Sequence, residues 1–126
     1  MISILITGAA SGIGKSCIQS FLNRGAAVVG IDIDSSIETT YKHKNYLGLI
    51  CDLTDEEAIE VMLEKSVCHF GGLDMIVLNA GIFPEAKMVS QLSIKEWNKV
   101  FSINLNSNLN LLREVYPLLI TAPNKG

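Results

Sequence analysis

Apolar and polar positions along this chain follow two alternating patterns. Short runs of consecutive apolar residues, rich in Ile, Val and Leu and bounded by Gly, Asp or Asn, are typical of buried strands. The segments between them repeat apolar residues at helical spacing. The predicted strands are 2–6, 26–31, 46–51 and 74–78, and the predicted helices are 13–24, 54–70 and 93–116.

Two of these helices have sequence signals for their first residues. Thr54 precedes Glu57 by three positions and Ser93 precedes Glu96 by three, so both hydroxyl residues are predicted to be N-caps in capping boxes. The last helix has a signal for its end. Pro117 cannot donate a backbone hydrogen bond, so we expect that helix to kink or end at about residue 116.

The order of the elements predicts the fold class. Strands that alternate with helices and are apolar along their whole length favour a parallel sheet covered by helices on both faces. Right-handed crossovers then give an α/β, doubly wound Rossmann-type arrangement of about four strands. A turn-like segment, 122–126, stands where a fifth strand is expected, so residues 1–126 are predicted to form an incomplete dinucleotide-binding domain.

Composition narrows the possible functions. A net charge of −3 with 18% charged residues provides no basic surface for nucleic acid. No apolar run approaches the roughly 18 residues of a membrane helix. Cys17, Cys51 and Cys68 are odd in number and widely spaced, which favours neither a disulfide framework nor a metal site and suggests the cytoplasm.

The main candidate for chemistry is the glycine-dense turn that follows the first strand. Gly8, Gly12 and Gly14 would let backbone N–H groups approach a diphosphate at the N-terminus of a helix. Residues 9–16 also satisfy a loose phosphate-loop pattern, in which Lys15 would contact phosphate and Asp52 would bind magnesium. A nucleotide triphosphatase therefore stays open on these residues alone.

Asp32 favours a dinucleotide over a triphosphate. It ends the second predicted strand, 18 positions after Gly14, where a carboxylate can accept hydrogen bonds from both ribose hydroxyls of adenosine. The same charge would repel a 2′-phosphate, and no Arg or Lys lies between Gly8 and Gly14, so NAD is preferred over NADP. A methyltransferase that uses S-adenosylmethionine would share this acidic strand end and also stays open.

The chain resembles the short-chain dehydrogenase/reductase family over nearly its whole length. Five motifs carry this resemblance, at residues 7–14, 32–33, 52–53, 79–81 and 104. Residues 7–14 look like its T-G-x-x-x-G-[IL]-G loop, and 79–81 look like its N-A-G motif. The resemblance implies a cofactor site made of Gly8, Ser11, Gly12, Ile13, Gly14, Asp32, Ile33, Asp52, Leu53, Asn79, Ala80 and Gly81. It also implies that Asn104, in a helix that it interrupts, belongs to a catalytic proton relay.

The catalytic serine and the Y-x-x-x-K helix of that family are not found in this sequence. Its tyrosines, Tyr41, Tyr46 and Tyr116, are not followed four positions later by lysine. We therefore expect the NAD(H)-binding portion of an enzyme that moves hydride between NAD and an alcohol or carbonyl substrate, inactive by itself. A non-catalytic dinucleotide sensor is the alternative.

The resemblance also bears on partners. The helix predicted over 93–116 resembles one used in dimer contacts, so we expect a homo-oligomer, or contacts between the apolar edge at the fourth strand and a C-terminal half. Residues 112–119, with the V-L-N-A-G segment, look similar to dehydrogenase domains fused to a class II aldolase.

Overall fold

A computed structural model describes residues 1–123 of the chain. Four strands alternate with helices in the predicted order. The strands are β1 (Ser3–Thr7), β2 (Ala27–Asp32), β3 (Tyr46–Ile50) and β4 (Met75–Val77). The helices are α1 (Gly12–Asn23), α2 (Glu56–Phe70), α3 (Ile94–Phe101) and α4 (Ser107–Ile120), with 3₁₀ turns at Ser35–Glu38 and Val89–Gln91. Of the turn-like segment at 122–126, residues 124–126 lie outside the described part.

The strands form one parallel sheet in the order β3-β2-β1-β4. The chain moves outward from β1 to β3 and then returns to the other side of β1 to place β4. This reversal creates a crevice beyond the carboxyl ends of β1 and β4, which is where open α/β sheets bind ligands. The predicted Rossmann-type sheet of four parallel strands is confirmed.

Helices cover both faces of this sheet. On one face, Ile4 and Ile6 of β1 pack with Ile18 and Leu22 of α1. On the other face, Leu5 packs among residues of α2 and α4. Side chains alternate between faces along a strand, so an apolar β1 supplies both cores at once.

The outer strands carry exposed apolar side chains. Within residues 1–123, β4 and β3 each pair with a single neighbouring strand. Met75 of β4 is 37% exposed and Ile50 of β3 is 49% exposed. No helix of this part of the chain is long and apolar enough to cross a bilayer.

One predicted helix start is wrong by one residue. The N-cap of α2 is Asp55, whose Oδ1 accepts the Ala58 N–H at 3.2 Å, rather than Thr54. Thr54 instead donates its N–H and its hydroxyl to Oδ1 of Asp52, at 2.9 and 2.7 Å. Its side chain is thus engaged before the helix begins. The capping box of Ser93 with Glu96 is confirmed.

The helix predicted over 93–116 is interrupted by a π-helical turn at Ser102–Asn106, as the resemblance implied for Asn104. Its predicted kink or end at about residue 116 is not an end, because α4 runs through Pro117 to Ile120. Leu118 and Leu119 beyond the proline pack against the core on the α2 side. This burial favours continued helix where local propensity alone would end it.

Candidate functional site

A cleft of about 420 Å³ lies at the carboxyl ends of β1, β2 and β4. It brings together nine of the twelve cofactor residues predicted from the sequence, namely Gly8, Ser11, Asp32, Ile33, Asp52, Leu53, Asn79, Ala80 and Gly81. These come from four separate segments of the chain. No Lys or Arg is among the described residues that line this cleft.

The turn after β1 requires glycine for two different reasons. Gly8 has φ +62°, and a Cβ there would lie 2.8 Å from the Cα of Ala80. Gly14, buried in α1, packs against this turn, since a Cβ on it would lie 2.4 Å from the Gly8 carbonyl oxygen. Gly12, at φ +57°, would meet no atom within 4 Å and leaves open space at the start of α1. The turn is thus tightly packed towards β4 and open at the helix N-terminus.

A buried threonine ties this turn to the end of β4. Thr7 is fully buried, and its Oγ1 accepts the N–H groups of Asn79 and Ala80, both at 2.9 Å. Asn79 adds two further hydrogen bonds between these segments, since its Nδ2 donates to the carbonyl oxygens of Thr7 and Gly8 at 3.1 Å each. The amide of Asn79 therefore holds the turn in place.

Asp32 is held from both sides by backbone amides. Its Oδ2 accepts the Ala10 N–H at 2.9 Å, and its Oδ1 accepts the Asp34 N–H at 3.1 Å. Each carboxylate oxygen can accept further bonds, because an ionised carboxyl has about four acceptor positions. The Ala10 contact joins this carboxylate directly to the glycine turn.

The ends of β2 and β3 form the wall beyond Asp32. Leu53 and Cys51 are buried there, while Ile33 is 74% exposed at the mouth of the cleft. Burial, with the nearby charges of Asp52 and Asp55, raises the pKa of the Cys51 thiol to about 11. This thiol stays protonated at neutral pH, so the wall is apolar with a carboxylate on either side.

Asn104 lies in the π-helical turn and fixes the chain that leaves β4. Its Oδ1 accepts the Ile82 N–H at 2.7 Å, and its Nδ2 donates to the Ile82 carbonyl at 2.9 Å. Its own carbonyl oxygen accepts from Nδ2 of Asn108 at 3.1 Å. Asn104 does not itself line the cleft but contacts Ile82, which does.

The loop that follows Ile82 is also fixed at its other end, by an ion pair to α3. Lys87 forms an ion pair with Glu96, whose carboxylate also accepts the N–H and hydroxyl of Ser93. The Lys87 hydrogen bond, followed by those from Ser93, lowers the pKa of Glu96 to about 2. Between the contacts at Ile82 and at Lys87, the side chain of Phe83 is 98% exposed.

Three predicted cofactor residues do not line the cleft, namely Gly12, Ile13 and Gly14. Gly14 is buried behind the turn, and Ile13 is 75% exposed on α1. Lys15, the residue on which the phosphate-loop alternative rests, is exposed and also absent from the lining.

Sequence reasoning missed six lining residues, Ile31, Cys51, Thr54, Ile82, Ile103 and Ser107. The first four are direct neighbours of predicted residues along the chain. Ile103 and Ser107 lie one position before and three positions after Asn104, so the helical repeat around Asn104 could have indicated them. Within residues 1–123, no group of three or more His, Cys, Asp or Glu could hold a metal ion.

The family model described as short chain dehydrogenase matches residues 3–126. The chain is 34% identical to 3-oxoacyl-[acyl-carrier-protein] reductase FabG of Thermotoga maritima over 126 residues, covering 95% of the chain and 51% of that protein. It is also 34% identical to the short chain dehydrogenase adrF of Penicillium roqueforti over 119 residues, covering 94% and 46%.

A solved structure shows the same fold. The crystal structure of 3-ketoacyl-(acyl-carrier-protein) reductase from Brucella melitensis complexed with NADH matches with a TM-score of 0.89 and 27% identity. The match covers 93% of this chain and 50% of that one. The chain thus spans about half the length of the relatives it matches.

Proposed function

The chain belongs to the short-chain dehydrogenase/reductase family, and we propose that it is the NAD(H)-binding portion of an oxidoreductase that acts on an alcohol or carbonyl substrate. The observation that carries this proposal is the carboxylate of Asp32. It lies in the cleft, 2.9 Å from the Ala10 N–H of the glycine turn, with acceptor positions left for ribose hydroxyls.

The residues at the start of α1 fit a diphosphate. Gly12 has a positive φ and open space around it, so a bulky group can approach the backbone there. The N-cap, Ser11, makes no side-chain capping bond, which leaves its hydroxyl and the first N–H groups of α1 for a ligand. These donors, with the helix dipole, favour an anion. We place the diphosphate beside Ser11 and Gly12, with Ile13 covering it.

The opposite end of the cleft fits adenosine. Asp32 would accept from the ribose hydroxyls, while Ile33, Leu53 and Asp52 would surround the base. A ribose 2′-phosphate would be repelled by the Asp32 carboxylate, and no lysine or arginine among the described lining residues would receive it. We therefore propose NAD rather than NADP as the cofactor.

Bound NAD(H) would supply the carbon that accepts or gives hydride. Asn79, Ala80 and Gly81 would border it at the end of β4. Asn104 would serve the proton relay through its carbonyl oxygen, because both of its side-chain groups already bond Ile82. That oxygen also accepts from Asn108, so a relay water would share it.

A titration with a matched control tests the cofactor proposal. Asp32→Asn removes the charge in the cleft, and Asp34→Asn makes the same change two residues away, at a side chain that caps the 3₁₀ turn instead. A hydrogen bond to a charged group contributes about 1.5–3 kcal/mol, so Asp32→Asn should weaken NADH binding roughly 10- to 100-fold in calorimetry. Asp34→Asn should leave it unchanged.

Two outcomes would contradict the assignment of Asp32. One is NADH affinity that is equal in wild type and Asp32→Asn. The other is a wild-type chain that binds NADPH more tightly than NADH.

We also propose that the exposed side of α3 and α4 contacts a second copy of the chain. Eight large apolar or aromatic side chains, each 39–75% exposed, follow one another at helical spacing across the π-helical turn: Ile94, Trp97, Phe101, Leu105, Leu109, Leu112, Tyr116 and Ile120. An exposed apolar patch of this kind supports the proposed interface, because monomeric proteins rarely expose large contiguous apolar surfaces. Sedimentation should show a dimer that dissociates when Leu105 and Leu109 are both replaced by Glu.

The cysteines support a cytoplasmic location. Cys17, Cys51 and Cys68 are all free thiols. A reducing compartment preserves thiols in this state, whereas secreted proteins of similar size commonly form disulfides.

A further inference from the structure

Two tyrosines connect the two halves of the proposed cofactor site. Tyr41, in the loop after β2, donates its hydroxyl to the carbonyl oxygen of Lys15 at 3.1 Å. Lys15 lies in the first turn of α1, directly after Gly14 of the glycine turn. The ring of Tyr41 packs edge-on against the ring of Tyr46, with 5.6 Å between centroids.

Tyr46 in turn fixes the segment that follows Asp32. It begins β3, is buried, and donates its hydroxyl to the carbonyl oxygen of Ile37 in the 3₁₀ turn. Burial raises the pKa of Tyr46 to about 12, so the hydroxyl keeps its proton at neutral pH. Gly48 makes room for this contact, since a Cβ on Gly48 would lie 1.9 Å from the Ile37 oxygen.

Together with the hydrogen bonds of Asp32, these contacts form a closed ring that joins Asp32 to α1. Asp32 is bonded to Ala10 on the turn side and to Asp34 on the loop side. After Asp34 the chain forms the 3₁₀ turn that Tyr46 contacts and then reaches Tyr41. The Tyr41 hydroxyl donates to the carbonyl oxygen of Lys15 in α1. The first turn of α1 and the carboxylate of Asp32 are thus joined by two independent routes.

We propose that Tyr41 is a positioning residue that fixes the distance between the diphosphate-binding turn and the ribose-binding carboxylate. The proposal rests on the NAD(H) function above. Its consequence is selective: a ligand that spans both subsites, such as ADP or NADH, benefits from the fixed distance. Adenosine, which occupies only the ribose and base end, does not.

Tyr41→Phe is the direct test, because it removes the hydroxyl and keeps the ring against Tyr46. The net effect of one hydrogen bond predicts ADP and NADH affinities about three- to tenfold weaker, with adenosine affinity unchanged. NMR titration of the whole chain measures all three ligands. Thr121→Val is the matched control and should change none of them, because it also removes a hydroxyl that donates to a backbone carbonyl, that of Pro117 at 2.8 Å, and Thr121 is not among the cleft residues.

A general loss of structure would give a different result. If Tyr41→Phe weakened adenosine as much as ADP, Tyr41 would be a stabilising residue without a positioning role, and the proposal would be overturned. Unchanged ADP and NADH affinities would overturn it equally.

Amide exchange in the ligand-free chain separates this proposal from the NAD(H) assignment. Tyr41→Phe should speed exchange of the Ala10 N–H, which bonds Asp32, several-fold relative to Thr121→Val. Exchange of amides in α2 should stay the same in both variants. If wild type binds neither NADH nor ADP, the NAD(H) proposal fails and amide exchange alone tests the role of Tyr41. Faster Ala10 exchange in Tyr41→Phe would then support the positioning role, and unchanged exchange would overturn it.

Discussion

Thr7 offers a test of how the glycine turn is held, because hydrogen bonding and packing predict opposite orders of stability for two variants. Thr7→Val keeps the shape of the side chain and replaces the hydroxyl by a methyl group. Thr7→Ser keeps the hydroxyl and removes the methyl group. If packing alone mattered at this fully buried position, valine would be the better substitute.

The structure predicts the reverse order. Valine leaves two N–H groups, those of Asn79 and Ala80, without the Oγ1 that now accepts both at 2.9 Å. Each unsatisfied buried donor costs about 1–3 kcal/mol, and these residues are half-buried, so we expect roughly 2–4 kcal/mol in total. Serine loses one buried methyl group, which costs about 0.5–1.5 kcal/mol.

Urea denaturation followed by circular dichroism measures both variants on one scale. Thr7→Val should be less stable than Thr7→Ser by about 0.5–3.5 kcal/mol, equivalent to roughly two degrees or more in Tm for a chain of this size. Exchange of the Ala80 N–H should be faster in the valine variant alone. A valine variant as stable as the serine variant would refute the role given to the Thr7 hydroxyl.

Three further predictions concern single side chains. Gly14→Ala should destabilise the chain by about 1–3 kcal/mol although alanine has the better helix propensity, because the alanine Cβ would lie 2.4 Å from the Gly8 carbonyl oxygen. In the same denaturation assay Gly72→Ala should have little effect, since a Cβ there would meet no atom within 4 Å. At pH 8 Cys68, which is exposed, should react with a thiol reagent much faster than Cys51, whose pKa is about 11; equal rates would contradict the buried position of Cys51. The pKa of Glu96 is lowered in the folded chain, so its stabilising contribution is complete above its ordinary pKa of 4.5 and is lost as pH falls through about 2; an NMR titration midpoint near 4.5 would contradict this.

Much of the fold and part of the site could be predicted because they depend on local patterns. Runs of buried apolar residues mark the strands, and in a parallel sheet the carboxyl ends of all strands meet at one edge. Asp32 and Asp52 each follow such a run, so their meeting in one cleft follows from the strand positions alone. The glycine turn is local in the same sense.

The contacts that could not be predicted join residues far apart in the chain. In the sequence, Thr7 follows the first predicted strand and begins the glycine loop, but nothing local shows that its hydroxyl accepts the N–H of Asn79, 72 residues later. The choice of Asp55 over Thr54 as N-cap depends on Asp52, which already binds Thr54. Both residue types make good caps, so sequence preference cannot decide between them.

The distribution of hydrogen bonds separates the groups that build the cleft from those left to recognise a ligand. Asn79 donates to two carbonyl oxygens of the glycine turn. Asn104 uses both polar groups of its side chain in hydrogen bonds to the backbone of Ile82. What remains is a helix N-terminus that favours anions at one end and the carboxylate of Asp32 at the other. This distribution supports the proposed NAD(H) site, with the phosphates at the α1 end and the ribose hydroxyls at the Asp32 end. Our proposal of NAD over NADP rests on the same arrangement, because an added ribose phosphate would put an anion against that carboxylate.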